Sequence, residues 1–457
     1  MPARSSRSQT HRHRPFEVVA PGFVELGEPA VGRADTITRH DASPVAPFAA
    51  VEVDVLGTEG VVVAGLTDPD GDGVLVTFDA AASRVTIEAR VGGRRWVLGS
   101  RRVSLPAAFT LGFAVCENQV TALARQDGHW RPLLTERARV AAVLDLRQPA
   151  TLQRLGYTWG VRSGTATLGE ARAGLFGMTG LRDPHLVQHA DGTPYVRDGR
   201  AYLSWTCAGL GFFAQAHWGV FALDLADPSR LEQVAQLYAR RGGLLLGDHA
   251  GQLVRDGDRW LVGTSSWGDF ETGGVHVRHG VSTDDLLSGV HLLETEPTTM
   301  PTTLDTWDPG FTRVEDRWVT SYVESASQRP FRFHPALAES YAAEPWTGLV
   351  RVGGADDLRQ CEGPVLVERD GRRWMLASDG AAKSYPVFDL EMRPAGHLDA
   401  PYQTNIPHPQ LVPRDDGGWL LVTFNGTPAD RHPARASVMG YGGHGDVVVM
   451  NSPGKDR

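Results

Sequence analysis

The sequence has few cysteines, no long apolar run and no excess of positive charge. Its three cysteines, Cys116, Cys207 and Cys361, are too few and too widely spaced for a disulfide framework or a zinc site. No run of about 18 apolar residues occurs, so the sequence predicts no membrane-spanning helix. The formal net charge of −9 disfavours nucleic acid or an anionic membrane as the main partner.

The N-terminal residues 1–15 are basic and polar, and no apolar stretch follows them. A secretory signal requires such a stretch directly after its basic region. We therefore expect residues 1–15 to form a disordered basic tail, and we expect the protein to be cytoplasmic.

Residues 16–174 have the pattern of short alternating strands. In residues 51–55 (VEVDV), three valines fall on one face of an extended chain and two acids on the other. Turn sequences such as DPDGDG at 68–73 separate similar runs at 61–66, 74–78, 85–89, 109–115 and 120–124. Many short strands between closely spaced turns predict a β-sandwich.

A different pattern, an internal repeat, occupies residues 177–450. Five segments share an apolar strand, a polar turn and then an aromatic residue that opens a second apolar strand. The marker aromatics are separated by 58, 58, 56 and 45 residues: Tyr202, Trp260, Trp318, Trp374 and Trp419. Repeats of this length without helices are typical of propeller blades. The sequence thus predicts an all-β chain, with an N-terminal β-sandwich followed by a five-bladed β-propeller.

Counting back from each marker aromatic predicts which residues converge on the propeller axis, because the first strand of each blade lines the central channel. Four acids and one histidine are predicted to share that position: Asp183, Asp248, Asp308, Glu362 and His408. Carboxylates crowded in a partly dry channel shift one another's pKa, so that one can stay protonated while another is ionised. Cleavage of a glycosidic bond requires such an acid and base pair.

Three segments resemble the signature segments of glycoside hydrolase family 43: GLRDPH at 180–185, TWDPGF at 306–311 and CEGPVL at 361–366. The resemblance implies that Asp183 is the general base and Glu362 the general acid, and that Asp308 orients the acid and tunes its pKa. It also implies a place for His408 near the channel centre, beside a water or a metal ion. A structural calcium ion in the channel is the metal we would expect there, and no cofactor is expected to be required.

Other residues near these segments are candidate substrate-binding groups. Trp307 is predicted to form a wall of a sugar subsite, since sugar rings bind on aromatic faces. His249 and Asp248 are candidates for hydrogen bonds to sugar hydroxyls. Members of the family supply a substrate-binding arginine from the last blade, and Arg431 and Arg435 both match that place.

These patterns predict a glycosidase that acts on an oligosaccharide or polysaccharide, with neither nucleic acid nor a membrane as partner. An inverting enzyme on arabinose- or xylose-containing glycans ranks first. The sucrose- and fructan-cleaving propeller hydrolases, which retain configuration, rank second because Arg-Asp-Pro falls here in the first blade rather than a middle one. A propeller that binds carbohydrate without cleaving it is a third possibility, which the three carboxylates disfavour. The sandwich resembles concanavalin-type modules, although these usually follow the propeller.

Overall fold

The computed structural model describes residues 10–29, 36–426 and 445–452, and within these ranges the protein consists mainly of β-strands. The described helices are short, at Ala138–Val143, Pro149–Leu152 and Phe270–Gly273, with 3-10 turns at Phe213–Gln215 and Trp267–Asp269. None of the helices in these ranges has the length and apolar character needed to cross a membrane. The predicted all-β class is confirmed.

Two six-stranded antiparallel sheets form the N-terminal part. The first sheet contains, in spatial order, His129–Glu136, Gln119–Gln126, Phe109–Cys116, Phe48–Thr58, Ala166–Met178 and Glu17–Pro29. The second contains Thr36–Arg39, Gly156–Ser163, Val61–Thr67, Gly73–Asp79, Arg84–Val91 and Arg94–Arg102. Alternate valines such as Val51, Val53 and Val62 are fully buried in the core that the two sheets share. The alternation seen in the sequence therefore forms a β-sandwich, as predicted.

Five further sheets follow, and we call them blades 1 to 5. Blade 1 contains Leu181–Leu186, Arg200–Cys207, His217–Asp224 and Leu231–Arg241, with Val196–Arg197, Leu244–Leu246 and Gly289–Glu294 at its edges. Blade 2 contains His249–Asp256, Arg259–Ser265 and Val277–Ser282, with Gln188–His189 and Glu296–Pro297 at its edges. Blade 3 contains Asp305–Val314, Arg317–Gln328, Phe331–Ser340 and Val350–Gly354. Blade 4 contains Cys361–Arg369, Arg372–Asp379, Pro386–Phe388 and Pro394–His397. Blade 5 contains Gln410–Pro413, Trp419–Asn425, Asp446–Asn451 and Thr10–His13.

The first strands of the blades surround a common axis. Those of blades 1 to 4 contact one another in chain order, and the first strand of blade 5 contacts that of blade 1. At this closure the Leu186 N–H donates to Gln410 Oε1 at 2.9 Å. Hydrophobic cores lie between consecutive blades; Val254 of blade 2, for example, packs with Phe311 and Trp318 of blade 3. The five sheets thus form the predicted five-bladed propeller.

The N-terminal segment departs from its prediction. Residues 10–13, expected to be part of a disordered tail, form a strand that pairs antiparallel with Asp446–Asn451 as the outermost strand of blade 5. His13 Nε2 also lies 3.0 Å from the Pro228 carbonyl oxygen of blade 1. A polar segment can occupy an edge position because backbone hydrogen bonds, which any residue supplies, hold an edge strand. The sandwich is therefore inserted between the last strand of blade 5 and the first strand of blade 1.

The sandwich packs directly on blade 1. Phe48 of the sandwich contacts the rings of His217 and Tyr238, with ring centroids 5.0 and 5.4 Å away. The Leu245 N–H donates to the Arg147 carbonyl oxygen at 2.9 Å, and the Leu245 side chain joins the core of the sandwich. Blade 1 and the sandwich therefore share buried surface. Independent domains at residues 16–174 and 177–450 stay a prediction.

Candidate active site

Each blade has a residue with a left-handed backbone conformation at or just before the start of its first strand, and these five residues meet on the axis. The φ angles are 48° at Asp183, 52° at Ala250, 52° at Asp308, 66° at Gly363 and 47° at His408. In blades 1 to 4 the pairing register with the second strand shifts at this residue, which forms a β-bulge. All five residues line a small cavity on the axis. The repeated bulge therefore determines which residue of each blade faces the channel, and non-glycine residues in this conformation often mark functional sites.

A hydroxyl group of the preceding blade holds the backbone N–H of three of these bulge residues. Each hydroxyl residue lies on the second strand of the preceding blade. It pairs with the residue just before the bulge of its own blade. The N–H donates to it at 3.0 to 3.1 Å in the pairs Ala250 with Thr206, Asp308 with Ser265, and His408 with Ser378. These bonds fix each bulge relative to the neighbouring blade.

Blade 3 breaks this pattern in a way that creates a contact between two candidate catalytic segments. The position equivalent to the hydroxyl residues is Val323, which pairs with Trp307 and has no hydrogen-bonding side chain. The Gly363 N–H donates instead to Asp308 Oδ2 at 3.1 Å. The Asp308 carboxylate is thus bound to the backbone directly after Glu362.

The prediction that five residues share one position is wrong for Glu362 and Asp248. Glu362 directly precedes the bulge residue of blade 4, and Asp248 lies two positions before Ala250. The marker aromatics do not occupy the same position relative to the bulge in every blade. Trp318 pairs with a residue five positions after the bulge of blade 3, whereas Trp374 pairs with a residue four positions after the bulge of blade 4.

The structure nevertheless brings the three predicted catalytic acids together around His408. Its Nε2 atom lies 3.9 Å from Asp183 Oδ1, 3.7 Å from Asp308 Oδ2 and 3.7 Å from Glu362 Oε1. Three of the four side chains are less than 10% exposed, whereas 19% of the Glu362 side chain is exposed. Glu362 is therefore the most accessible member of the cluster.

The charges in this cluster depend on one another. Burial disfavours the charged imidazole of His408, but Asp308, Glu362 and Asp183 outweigh it and raise its pKa to about 9. Burial also raises the pKa of Asp308 well above its usual range; His408 opposes this, and the neighbouring carboxylates add to it. The carboxylates thus favour the imidazolium form of His408, and burial favours the protonated form of Asp308.

Trp307 contacts the candidate acid directly. Its Nε1–H donates to Glu362 Oε2 at 3.2 Å. The indole is buried and packs against Trp267, Phe331 and Phe333, with ring centroids 5.5 to 5.7 Å away. These contacts fix the orientation of the Glu362 carboxyl group. The role of Trp307 as a subsite wall stays a prediction.

His249 and Asp248 are engaged by protein groups. His249 Nδ1 lies 3.4 Å from Thr206 Oγ1 and Nε2 lies 3.1 Å from the Phe213 carbonyl oxygen, and burial lowers the pKa of this histidine to about 4. Asp248 forms an ion pair with Arg241 and is fully buried. These contacts favour structural roles, and substrate binding by either residue stays a prediction. Arg431 and Arg435 lie outside the described residues.

Two further residues of the first signature segment, not selected from the sequence, belong to the site. Arg182 is buried, with Nε 4.0 Å from Asp183 Oδ1 and its guanidinium 4.8 Å from the ring centre of Phe424. His185 lines the axial cavity, and burial lowers its pKa to about 3. Both flank Asp183 in the sequence, so closeness to a predicted catalytic residue was the available signal.

A calcium ion in the channel stays a prediction, and the described residues fit it incompletely. The donor atoms within 4.8 Å of one another come from Asp308, Glu362 and His408. Calcium prefers six to eight oxygen ligands, whereas this set offers two carboxylates and one nitrogen. The axial cavity measures about 10 Å³, roughly the space of one water molecule. A proton on His408 satisfies the same carboxylates without further ligands.

The chain matches no family model and no curated protein. Among solved structures it is similar to a thermostable family-43 glycoside hydrolase, with 14% identity and a TM-score of 0.40 over 60% of this chain and 88% of that one. It is similar to the alpha-L-arabinanase of Penicillium chrysogenum complexed with arabinobiose, with 12% identity and a TM-score of 0.38 over 94% and 99% of the chains. A GH43 beta-xylosidase/alpha-arabinofuranosidase from a compost microbial metagenome, in complex with xylotriose, shows 14% identity and a TM-score of 0.42 over 59% and 90%. All three neighbours are glycoside hydrolases.

Proposed function

We propose that the protein is a glycoside hydrolase that cleaves arabinose- or xylose-containing oligosaccharides by inverting acid/base catalysis. One observation carries the proposal: three carboxylates from blades 1, 3 and 4 meet within 4 Å of a single imidazole nitrogen of blade 5. A glycosidase requires carboxyl groups on two sides of one bond, and separate blades supply them. The substrate class follows from the resemblance of the three segments to family 43.

In this mechanism Glu362 donates its proton to the leaving oxygen, and Asp183 removes a proton from the attacking water. Asp183 Oδ1 and Glu362 Oε1 lie 3.9 and 3.7 Å from the same nitrogen, so these two atoms are at most about 7.6 Å apart. This limit is compatible with the ~6.5–9.5 Å separation that leaves room for water in inverting enzymes. Asp308 accepts the Gly363 N–H directly after the acid, and the Trp307 Nε1–H donates to Glu362 Oε2.

The experiment compares hydrolysis of aryl arabinosides and xylosides with that of unactivated disaccharides. Glu362→Ala should lose about 10²–10⁴-fold on the disaccharides and much less on aryl glycosides, whose leaving groups need no proton. Asp183→Ala should be slow on every substrate, because water must be activated whatever the leaving group. Glu368→Gln is the control, since Glu368 lies on the same strand and is exposed.

Product analysis decides the remaining alternatives. The first sugar released by an inverting enzyme has the opposite anomeric configuration to the substrate, and nuclear magnetic resonance of early product shows which anomer forms. Retained configuration would favour the fructan-type reaction. If Asp183→Ala and Glu362→Ala both leave the hydrolysis rate unchanged, the assignment of these residues as base and acid is refuted. If the wild type binds a glycan and does not hydrolyse it, a carbohydrate-binding propeller replaces the catalytic proposal.

A further inference from the structure

One acidic side chain of the sandwich is buried in the propeller. Glu117 lies in the tight turn between strands Phe109–Cys116 and Gln119–Gln126, with a left-handed φ of 56°. It is 3% exposed, and its Oε1 accepts the backbone N–H of Gly247 at 3.1 Å. A buried acid that binds the backbone of the other part of the molecule connects the two parts at a defined point.

Glu117 binds the residue next to Asp248, and both acids have an oxygen close to Gly268. The Gly268 N–H donates to Asp248 Oδ1 at 3.1 Å, and a side chain at Gly268 would begin 3.3 Å from Glu117 Oε1. Arg241 binds both Asp248 and Asp269. Asp248 therefore binds the Gly268 backbone, and Glu117 of the sandwich binds Gly247, the residue directly before Asp248.

The residue before Gly268 contacts the tryptophan that binds the candidate acid. Trp267, the residue before Gly268, lies parallel to the His249 ring at 6.0 Å and contacts the Trp307 ring at 5.7 Å. Trp307 in turn donates its indole N–H to Glu362. Hydrogen bonds, ring contacts and adjacent residues thus connect the Glu117 turn to the Glu362 carboxyl group.

We propose that Glu117 is a positioning residue of the candidate active site, through which the sandwich holds Trp267, and thereby Trp307 and Glu362, in the productive geometry. The inference rests on the proposed function and adds a role for the sandwich to it. Groups that support a catalytic residue commonly affect rate without touching substrate.

The protonation of Glu117 determines which variant is conservative. Burial raises the pKa of Glu117 well above its usual range and nearby Asp248 adds to this, while the Gly247 N–H, Arg147 and Arg241 oppose it. The raised pKa of Glu117 favours the neutral form of its side chain. Glutamine has the same shape and can keep a carbonyl oxygen on the Gly247 N–H.

The test compares Glu117→Ala and Glu117→Gln with a matched control, Glu52→Ala. Glu52 is also a buried glutamate of the sandwich that accepts one backbone N–H, that of Val19, at 3.2 Å. Its hydrogen bond stays inside the sandwich. Loss of sandwich stability alone would therefore affect Glu52→Ala and Glu117→Ala alike, whereas loss of positioning would affect only the latter.

Two measurements are made on the full chain. We expect Glu117→Ala to lower kcat/KM on a nitrophenyl glycoside about tenfold or more, mainly through kcat, and Glu117→Gln and Glu52→Ala to stay within about twofold of the wild type. Hydrogen exchange at the Gly247 and Gly268 amides should accelerate in Glu117→Ala and not in Glu52→Ala. Unchanged kcat/KM in folded Glu117→Ala overturns the proposal.

Further outcomes remain decisive. If Glu117→Ala does not fold, Glu117→Asp, which withdraws the carboxyl group by one methylene, replaces it, and wild-type kcat/KM in that variant overturns the inference. If the wild type cleaves no glycoside, the proposed function fails by itself. The exchange measurement then still tests the connection, and unchanged exchange at Gly268 in the Glu117 variant refutes it.

Discussion

Replacing His408 by glutamine removes the positive charge that lies within 4 Å of all three carboxylates. The folded protein favours the imidazolium, because the carboxylates raise the pKa of His408 from 6.5 to about 9. This difference corresponds to about 3 kcal/mol, at ~1.4 kcal/mol for each pH unit. Because the folded-state pKa is the higher one, the contribution is fully present below pH 6.5 and disappears as the pH rises through about 9.

Urea denaturation between pH 6 and 9.5 measures this contribution. The wild type should lose about 3 kcal/mol more unfolding free energy over this range than His408→Gln, whose side chain stays neutral throughout. His397→Gln is the control, since His397 is exposed on blade 4, away from the carboxylates. The variant should also be less stable than the wild type at pH 6, because it removes a cation from beside buried carboxylates.

Parallel stability curves for the wild type and His408→Gln would refute this reasoning. They would mean that the charge of His408 does not stabilise the folded cluster. In that case a bound cation, or protons on the carboxylates, would have to neutralise the site, and adding a chelator to the wild type would distinguish the two explanations.

Three further outcomes are expected from the structure. Ala250→Gly should raise the free energy of unfolding by up to about 1 kcal/mol, because glycine adopts the left-handed bulge conformation without steric cost; urea denaturation that shows a loss of stability would contradict this. His217→Phe should stabilise the protein by about 1 kcal/mol in a thermal melt, since neither ring nitrogen of this buried histidine has a hydrogen-bond partner among the described residues; a lower Tm would argue against it. Val323→Thr should lower kcat about tenfold by offering the Gly363 N–H the hydroxyl that other blades provide and so displacing Asp308, and an unchanged kcat would rule out this competition.

The sequence by itself determined the strands and the catalytic candidates. The alternating valines in residues 51–55 indicate a strand with one buried face. The polar turn before each marker aromatic ends a strand in any fold, because its residues favour a turn. These are local properties, so they survive into the structure. Asp183, Asp308 and Glu362 were identifiable because their segments resemble a known family, which contains spatial information that no single sequence states.

Tertiary structure alone decided the rest. The hairpins of the blades differ in register, so the number of residues between the bulge and the marker aromatic differs from blade to blade. Asp248 and Glu362 are equally far in sequence from the marker aromatics of their blades, but Asp248 forms an ion pair with Arg241, whereas Glu362 joins the cluster around His408. A polar N-terminal segment became the last strand of blade 5, because an edge strand is held by backbone bonds that leave no pattern in the side chains. Glu117 likewise has no local signal, since its partner Gly247 lies 130 residues away and meets it only where the sandwich packs on the propeller. Contacts between distant segments depend on how whole sheets pack against each other, and the residues around either partner do not indicate that packing.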